Sequence, residues 1–182
     1  MTEQKRNAVY SKHTVELVTV AAEFCAFLEQ SAQRTGAELA DTVLKLLPLL
    51  YLKASMVPPA EETEDFYAET FVTEQDYEML RVMLAGVLGE HDDYLDLYDD
   101  RVKFNDEAQM HTLSEDLADI YQVLKNFVQR YRSGMEEIMY EAVVEVTGAF
   151  TLYWGQTLCN ALRALHRVRY TESFDEGDAA WE

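Results

Sequence analysis

The stretch SEDLADIYQVLKNFVQRY, residues 114–131, decides the fold. Leu117, Ile120, Tyr121, Leu124, Phe127, Val128 and Tyr131 recur at the alternating short intervals that gather side chains on one face of an α-helix. Ser114 stands at the N-cap position, and Glu115 and Asp116 fall in the first turn, where the helix dipole favours carboxylates. A helix with one strongly apolar face needs other helices to cover it.

Toward the C-terminus, Ser133 and Gly134 end this element and a long helix is expected over 135–169. Glu137, Glu141 and Glu145 mark its outer stripe, continued by Gln156, Asn160, Arg163 and Arg167. Gly148 and Gly155 lie inside it, marking either a close helix–helix approach or a break at Gly148. Toward the N-terminus, a short helix is expected over 90–102, with Tyr94, Leu95 and Leu97 on one side and Asp92, Asp93, Asp96, Asp99 and Asp100 on the other. Before it, 73–88 reads as a helix capped by Thr73 and Asp76 and ended by Gly89, with Tyr77, Leu80, Leu84 and Leu88 facing inward. Residues 61–69 form an acidic loop without a basic residue. Two further helices, over 11–33 and 37–54, are apolar on most of their surface, and Pro48 kinks the second. No convincing strand pattern is present. The expected fold is all-α: one bundle of about six helices over 11–170, with two widely apolar central helices and one long C-terminal helix. Residues 1–10 are expected as a mobile arm and 171–182 as an acidic disordered tail.

Composition agrees. The chain has 182 residues, enough for one core, with 48% hydrophobic residues and only three prolines and seven glycines to interrupt helices. Its formal net charge is −19 and its pI about 4.4. Such a chain repels phosphate and anionic lipid, so neither nucleic acid nor membrane is an expected partner, and a basic protein surface is. The first thirteen residues hold no apolar run, so no secretory leader is expected. Cys25 and Cys159 are the only cysteines and sit apart in apolar segments, which reads as reduced core thiols in the cytoplasm. The broad apolar faces leave room for a dimer.

No nucleophile elbow, phosphate-binding glycine loop or His/Cys zinc pattern occurs. No catalytic residue and no cofactor is therefore expected. The acidic helix over 90–102 carries the one arrangement that solubility alone does not require. Asp92, Asp96 and Asp99 stack on one helical side, and each close like-charge pair costs about 0.2–0.5 kcal/mol. Arg163, Arg167 and Arg169 are internal candidates to offset that cost. In a helical hairpin, Asp96 and Asp99 approach Asp116 and Asp119, and four carboxylates meeting there would suit Mg²⁺ or Mn²⁺. The arrangement resembles the all-α nucleoside-triphosphate pyrophosphatases of the MazG type, in which paired acids on successive helices hold the metal. Here the first pair is Asp-x-x-Asp and the second begins with Asp116, each one methylene shorter than the glutamate of that family. A partner or ligand surface is the other reading, involving Asp92, Asp93 and Asp100, or a pocket lined by Trp154 and Gln156.

Several strings together resemble a family of small acidic bacterial proteins, domain of unknown function 5063. They run from Thr14 to Val20, from Leu46 to Ala54, from Glu69 to Glu74, from Asp92 to Asp96, from Glu115 to Tyr121, from Tyr153 to Gln156 and from Ala161 to His166. The resemblance implies an all-helical fold and brings neither an activity nor catalytic residues with it. The leading expectation is a protein-interaction or adaptor module. The alternative is a Mg²⁺-dependent pyrophosphatase with metal on Asp96, Asp99, Asp116 and Asp119.

Overall fold

The structure, a computed structural model, describes residues 2–61, 69–96 and 109–171. In chain order the helices are α1 (Glu3–Tyr10), α2 (Lys12–Glu29), α3 (Gly36–Ser55), α4 (Glu74–Leu88), α5 (Leu113–Tyr131), α6 (Glu136–Ala149) and α7 (Gly155–Tyr170). A short antiparallel pair of strands, β1 (Asp93–Asp96) and β2 (Gln109–Thr112), precedes α5. α6 and α7 are joined by a π-helical turn, Phe150–Trp154, and together make the long C-terminal helix.

The helix read over 114–131 is the hub. α5 packs against α2, α4, α6 and α7, and buries most of its length. α2 also packs on α3, and α3 on α7. One core results, with Phe24, Leu47, Leu84, Ile120, Phe127 and Trp154 among its fully enclosed side chains. α5 begins two residues earlier than expected. Thr112 is its N-cap, accepting from the Glu115 N–H, while Ser114 is buried and bonds elsewhere.

Local chemistry explains the other helix boundaries. Thr35 with Glu38 and Thr73 with Asp76 form capping boxes, so α3 and α4 start with orphan backbone donors satisfied. Gly89 takes a positive φ of 58° and ends α4 as expected. Pro48 lies within α3.

The arm expected over 1–10 is instead the helix α1. Thr2 caps it, and Ala8 and Val9 are buried against Met139, Tyr140 and Val144 of α6. The Tyr131 hydroxyl donates to the Val9 carbonyl, fixing the end of α1 to α5. A short polar helix such as this is held by docking rather than by propensity. Of the tail expected over 171–182, residues 172–182 lie outside the described residues.

The helix expected over 90–102 is corrected across 93–96. A short 3₁₀ turn, Gly89–His91, leads into β1, which pairs Tyr94 with His111 and Asp96 with Gln109. The strand buries Tyr94 and exposes Asp93 and Leu95. Aspartate is a poor helix former, and stacked like charges oppose a helix further; an extended chain alternates its side chains and relieves both. Residues 97–102 lie outside the described residues.

The π turn has a reason in the sequence. The core takes Val143, Val146 and Ala149 from α6, then Trp154, Leu158, Ala161 and Leu165 further on. An unbroken α-helix would bring Tyr153, Thr157 and Asn160 to that side instead, because one residue turns the face by about 100°. The wider turn absorbs the extra residue. Gly155 is needed there: a Cβ on it would lie 2.6 Å from the Phe150 carbonyl oxygen.

Candidate functional site

The acidic residues are placed first by what the β-pair must do. Asp92 is buried just before β1 and accepts from both the backbone N–H and the hydroxyl of Ser114, each at 2.7 Å. Its carbonyl accepts from the Leu113 N–H. A carboxylate at this point satisfies orphan donors at the start of α5 and meets the positive end of its dipole. Asp93 is exposed on β1, and Asp96 lies at the strand's end.

Asp116, 7% exposed, accepts the hydroxyl of Tyr94. Asp119 accepts the hydroxyl of Tyr77 at 2.8 Å. Burial raises the Asp119 pKa; the Tyr77 bond lowers it in part, and the nearby Glu115 raises it further. Burial, followed by that same carboxylate, raises the Tyr77 hydroxyl well above its ordinary value. Asp116 and Asp119 thus serve two different neighbours, the β-strand and α4. Asp99 and Asp100 lie outside the described residues. Among the described residues, no group of three or more His, Cys, Asp or Glu side chains is placed to hold a metal ion. Of the basic residues considered as partners, Arg163 reaches β1 by donating to the Leu95 carbonyl at 3.2 Å, and Arg169 lies 3.7 Å from Asp41.

Trp154 belongs to the core. It is fully buried, its indole N–H donates to the Val146 carbonyl at 2.9 Å, and its ring meets Phe150 edge-on. Gln156 is exposed and donates to Asn160 on its own helix. Enclosed in this way, Trp154 offers no ring face on which a ligand could stack beside Gln156.

Two surface features were not read from the sequence. One is an open groove of about 830 Å³ between α3 and α7, lined by Leu44, Pro48, Leu162, His166 and Tyr170, with Lys45 bound to Asp41 at its edge. The other is the outer side of α4. Met79 is 60% exposed and Val82 56%, with Met83 half-buried beside them and Phe71, 42% exposed, preceding the helix. Two open depressions flank this stripe. The first, about 520 Å³, lies between α4 and α5 and includes Glu29, Asp76, Tyr121 and Lys125. The second, about 710 Å³, lies outside α4 and includes Glu74 and Glu78. Gly86 continues the stripe with open space above its Cα. The signal was present: α4 has more apolar residues than its inner face can use, and Met79, Val82 and Met83 are the remainder.

Three of the carboxylates around this stripe have defined partners. Glu29 accepts from Tyr121 and Lys125, Glu78 from Arg81, and Asp76 from Thr73, whose hydroxyl and backbone N–H hold its pKa down.

The fold and this surface define a small all-helical bundle with a helical face left over after its core is built. The chain belongs to the DUF5063 family, a domain of unknown function, whose pattern matches residues 8–171. It is similar to protein BF1032 from Bacteroides fragilis, known from a crystal structure: the two are 45% identical with a TM-score of 0.82, covering 91% of this chain and 98% of that one. No curated protein matches the chain. Among the described residues, no helix is long and apolar enough to cross a membrane.

Proposed function

We propose that this protein acts by binding another protein, through the outer face of α4, and performs no chemistry at its aspartates. The observation that carries the reading is the double-sided apolar character of α4: Leu80, Leu84 and Leu88 enter the core, while Met79 and Val82 remain exposed. Scattered apolar residues on a surface need no explanation, but a contiguous row beside two depressions fits an interaction site. Methionines suit such a site because their flexible side chains adapt to a partner. Of the four aspartates considered for metal, Asp116 and Asp119 accept tyrosine hydroxyls, and Asp92, considered as part of a partner surface, fastens α5, which supports a binding role over chemistry.

Photo-crosslinking tests this in the source cell. With a photoreactive side chain at position 82, a discrete adduct with another protein is expected, absent when the same group replaces the exposed Glu137 of α6. No adduct from position 82, or the same adducts from both positions, would overturn the reading.

A further inference from the structure

We propose that the outer face of α4 takes an amphipathic helix carrying Lys or Arg beside its apolar stripe, an inference that rests on α4 being the docking face. The spacing sets the shape of the occupant. Met79, Val82, Met83 and Gly86 lie along one side of α4 at helical intervals. With Gln75 at the near end they form a seam about 16 Å long, roughly three helical turns. Such a seam accepts the side chains that a second helix presents at i, i+4, i+7 and i+11. At Gly86, where nothing approaches the Cα within contact distance, the backbone of that helix can come close.

Charge selects the rest. Glu29, Glu74, Asp76 and Glu78 border the two depressions, against Arg81 and Lys125. Both cations are already held by carboxylates of the same rim, Arg81 by Glu78 and Lys125 by Glu29. The rim therefore keeps a negative balance, concentrated at the N-terminal end of α4 where Glu74, Asp76 and Glu78 cluster. A basic helix complements this; a second copy of this chain, with net charge −19 and the same acidic rim, does not.

The test uses the full-length protein and a designed helical peptide of about 16 residues, with leucines at the four stripe positions and lysines beside them. A matched peptide carries glutamate for lysine. Binding is read by fluorescence anisotropy and by backbone amide shifts. The lysine peptide is expected to bind and to shift amides of α4, and the glutamate peptide is not. Met79→Ser with Val82→Ser should weaken binding about ten-fold or more, and Glu74→Gln with Glu78→Gln about five-fold, less at high salt. A distant pair, Glu137→Gln with Glu141→Gln, should leave it within about two-fold. Circular dichroism checks that each variant is folded. Equal weakening by the distant pair, or shifts away from α4, would overturn the proposal, since attraction to net charge alone predicts both. A position-82 adduct with a partner that contributes no basic helix, or a dimer that dissociates in the Val82→Ser variant, would overturn the basic-helix assignment while leaving α4 as the docking face. Absence of any position-82 adduct removes both.

Discussion

Tyr94 of β1 donates its hydroxyl to the buried carboxylate of Asp116 on α5, so the strand pair is tied to the central helix through a charged acceptor. The tie sits beside the Asp92 contacts to Ser114, and the two together fix how the chain enters α5.

Removing that hydroxyl should cost stability without disturbing shape. Tyr94→Phe keeps the ring in place and withdraws a hydrogen bond from a buried carboxylate, which is worth about 1.5–3 kcal/mol when the acceptor is charged. Urea unfolding should show a lower midpoint with an unchanged slope. An unchanged midpoint would mean that the bond adds nothing net.

The sequence made the helices and much of the core legible, because α5 and the capping residues Thr35 and Thr73 act locally. It misled at 93–96, where aspartates at helical spacing suggested a helix. Strand formation there depends on pairing with Gln109–Thr112, a partner that no local pattern announces. The Asp–Tyr pairs were illegible for the same reason, since Tyr94 and Asp116 are 22 positions apart and Tyr77 and Asp119 are 42. Trp154 looked able to line a pocket because its helical spacing is the same for core and site, and only the π turn settles which way it faces. The α4 surface was readable in principle, as apolar residues in excess of one face.

Asp119 gives a pH-dependent expectation. Its folded pKa is raised above 3.8, mainly by burial, so the folded state holds that proton more tightly than the unfolded chain. Its contribution to stability is therefore fully present below the unfolded value and is lost as pH rises through the raised folded value. Asp119→Asn keeps an oxygen for the Tyr77 hydroxyl and removes the buried charge. The variant should be more stable than the parent at neutral pH, with the advantage vanishing below pH 3.8. Denaturant titrations at both pH values measure the difference; an advantage constant with pH would contradict the assignment.

The two glycines of the long helix should respond in opposite directions. A Cβ at Gly155 meets the Phe150 carbonyl oxygen at 2.6 Å, so Gly155→Ala should destabilise by about 1–3 kcal/mol. Gly148 has nothing within contact distance, and Gly148→Ala should stabilise by about 0.4–1 kcal/mol through lost freedom of the unfolded chain. Thermal melts of the two variants against the parent decide it.

The thiols should differ sharply. Cys25 is enclosed in the core, and burial pushes its pKa up to about 12, whereas Cys159 is exposed on α7. Since the thiolate is the reactive form, a chromogenic disulfide reagent should titrate Cys159 in the native protein and reach Cys25 only in denaturant. Rapid reaction of both would show that the core around Cys25 opens readily.

The π turn between α6 and α7 makes the chain unequal in its tolerance of lost residues. Deleting Thr151 leaves the number of residues that an ordinary α-helix needs to keep Val146 and Leu158 on one side, so the bundle should survive as an unbroken helix. Deleting Asn160 instead, between Leu158 and Ala161, rotates Ala161 and Leu165 by about 100° against Trp154 and Leu158, so that the two pairs no longer reach the core together. Circular dichroism and melting of the two deletions separate them. Length variation among related chains is accordingly expected at 150–154, within what looks like the interior of a single helix and far from any loop.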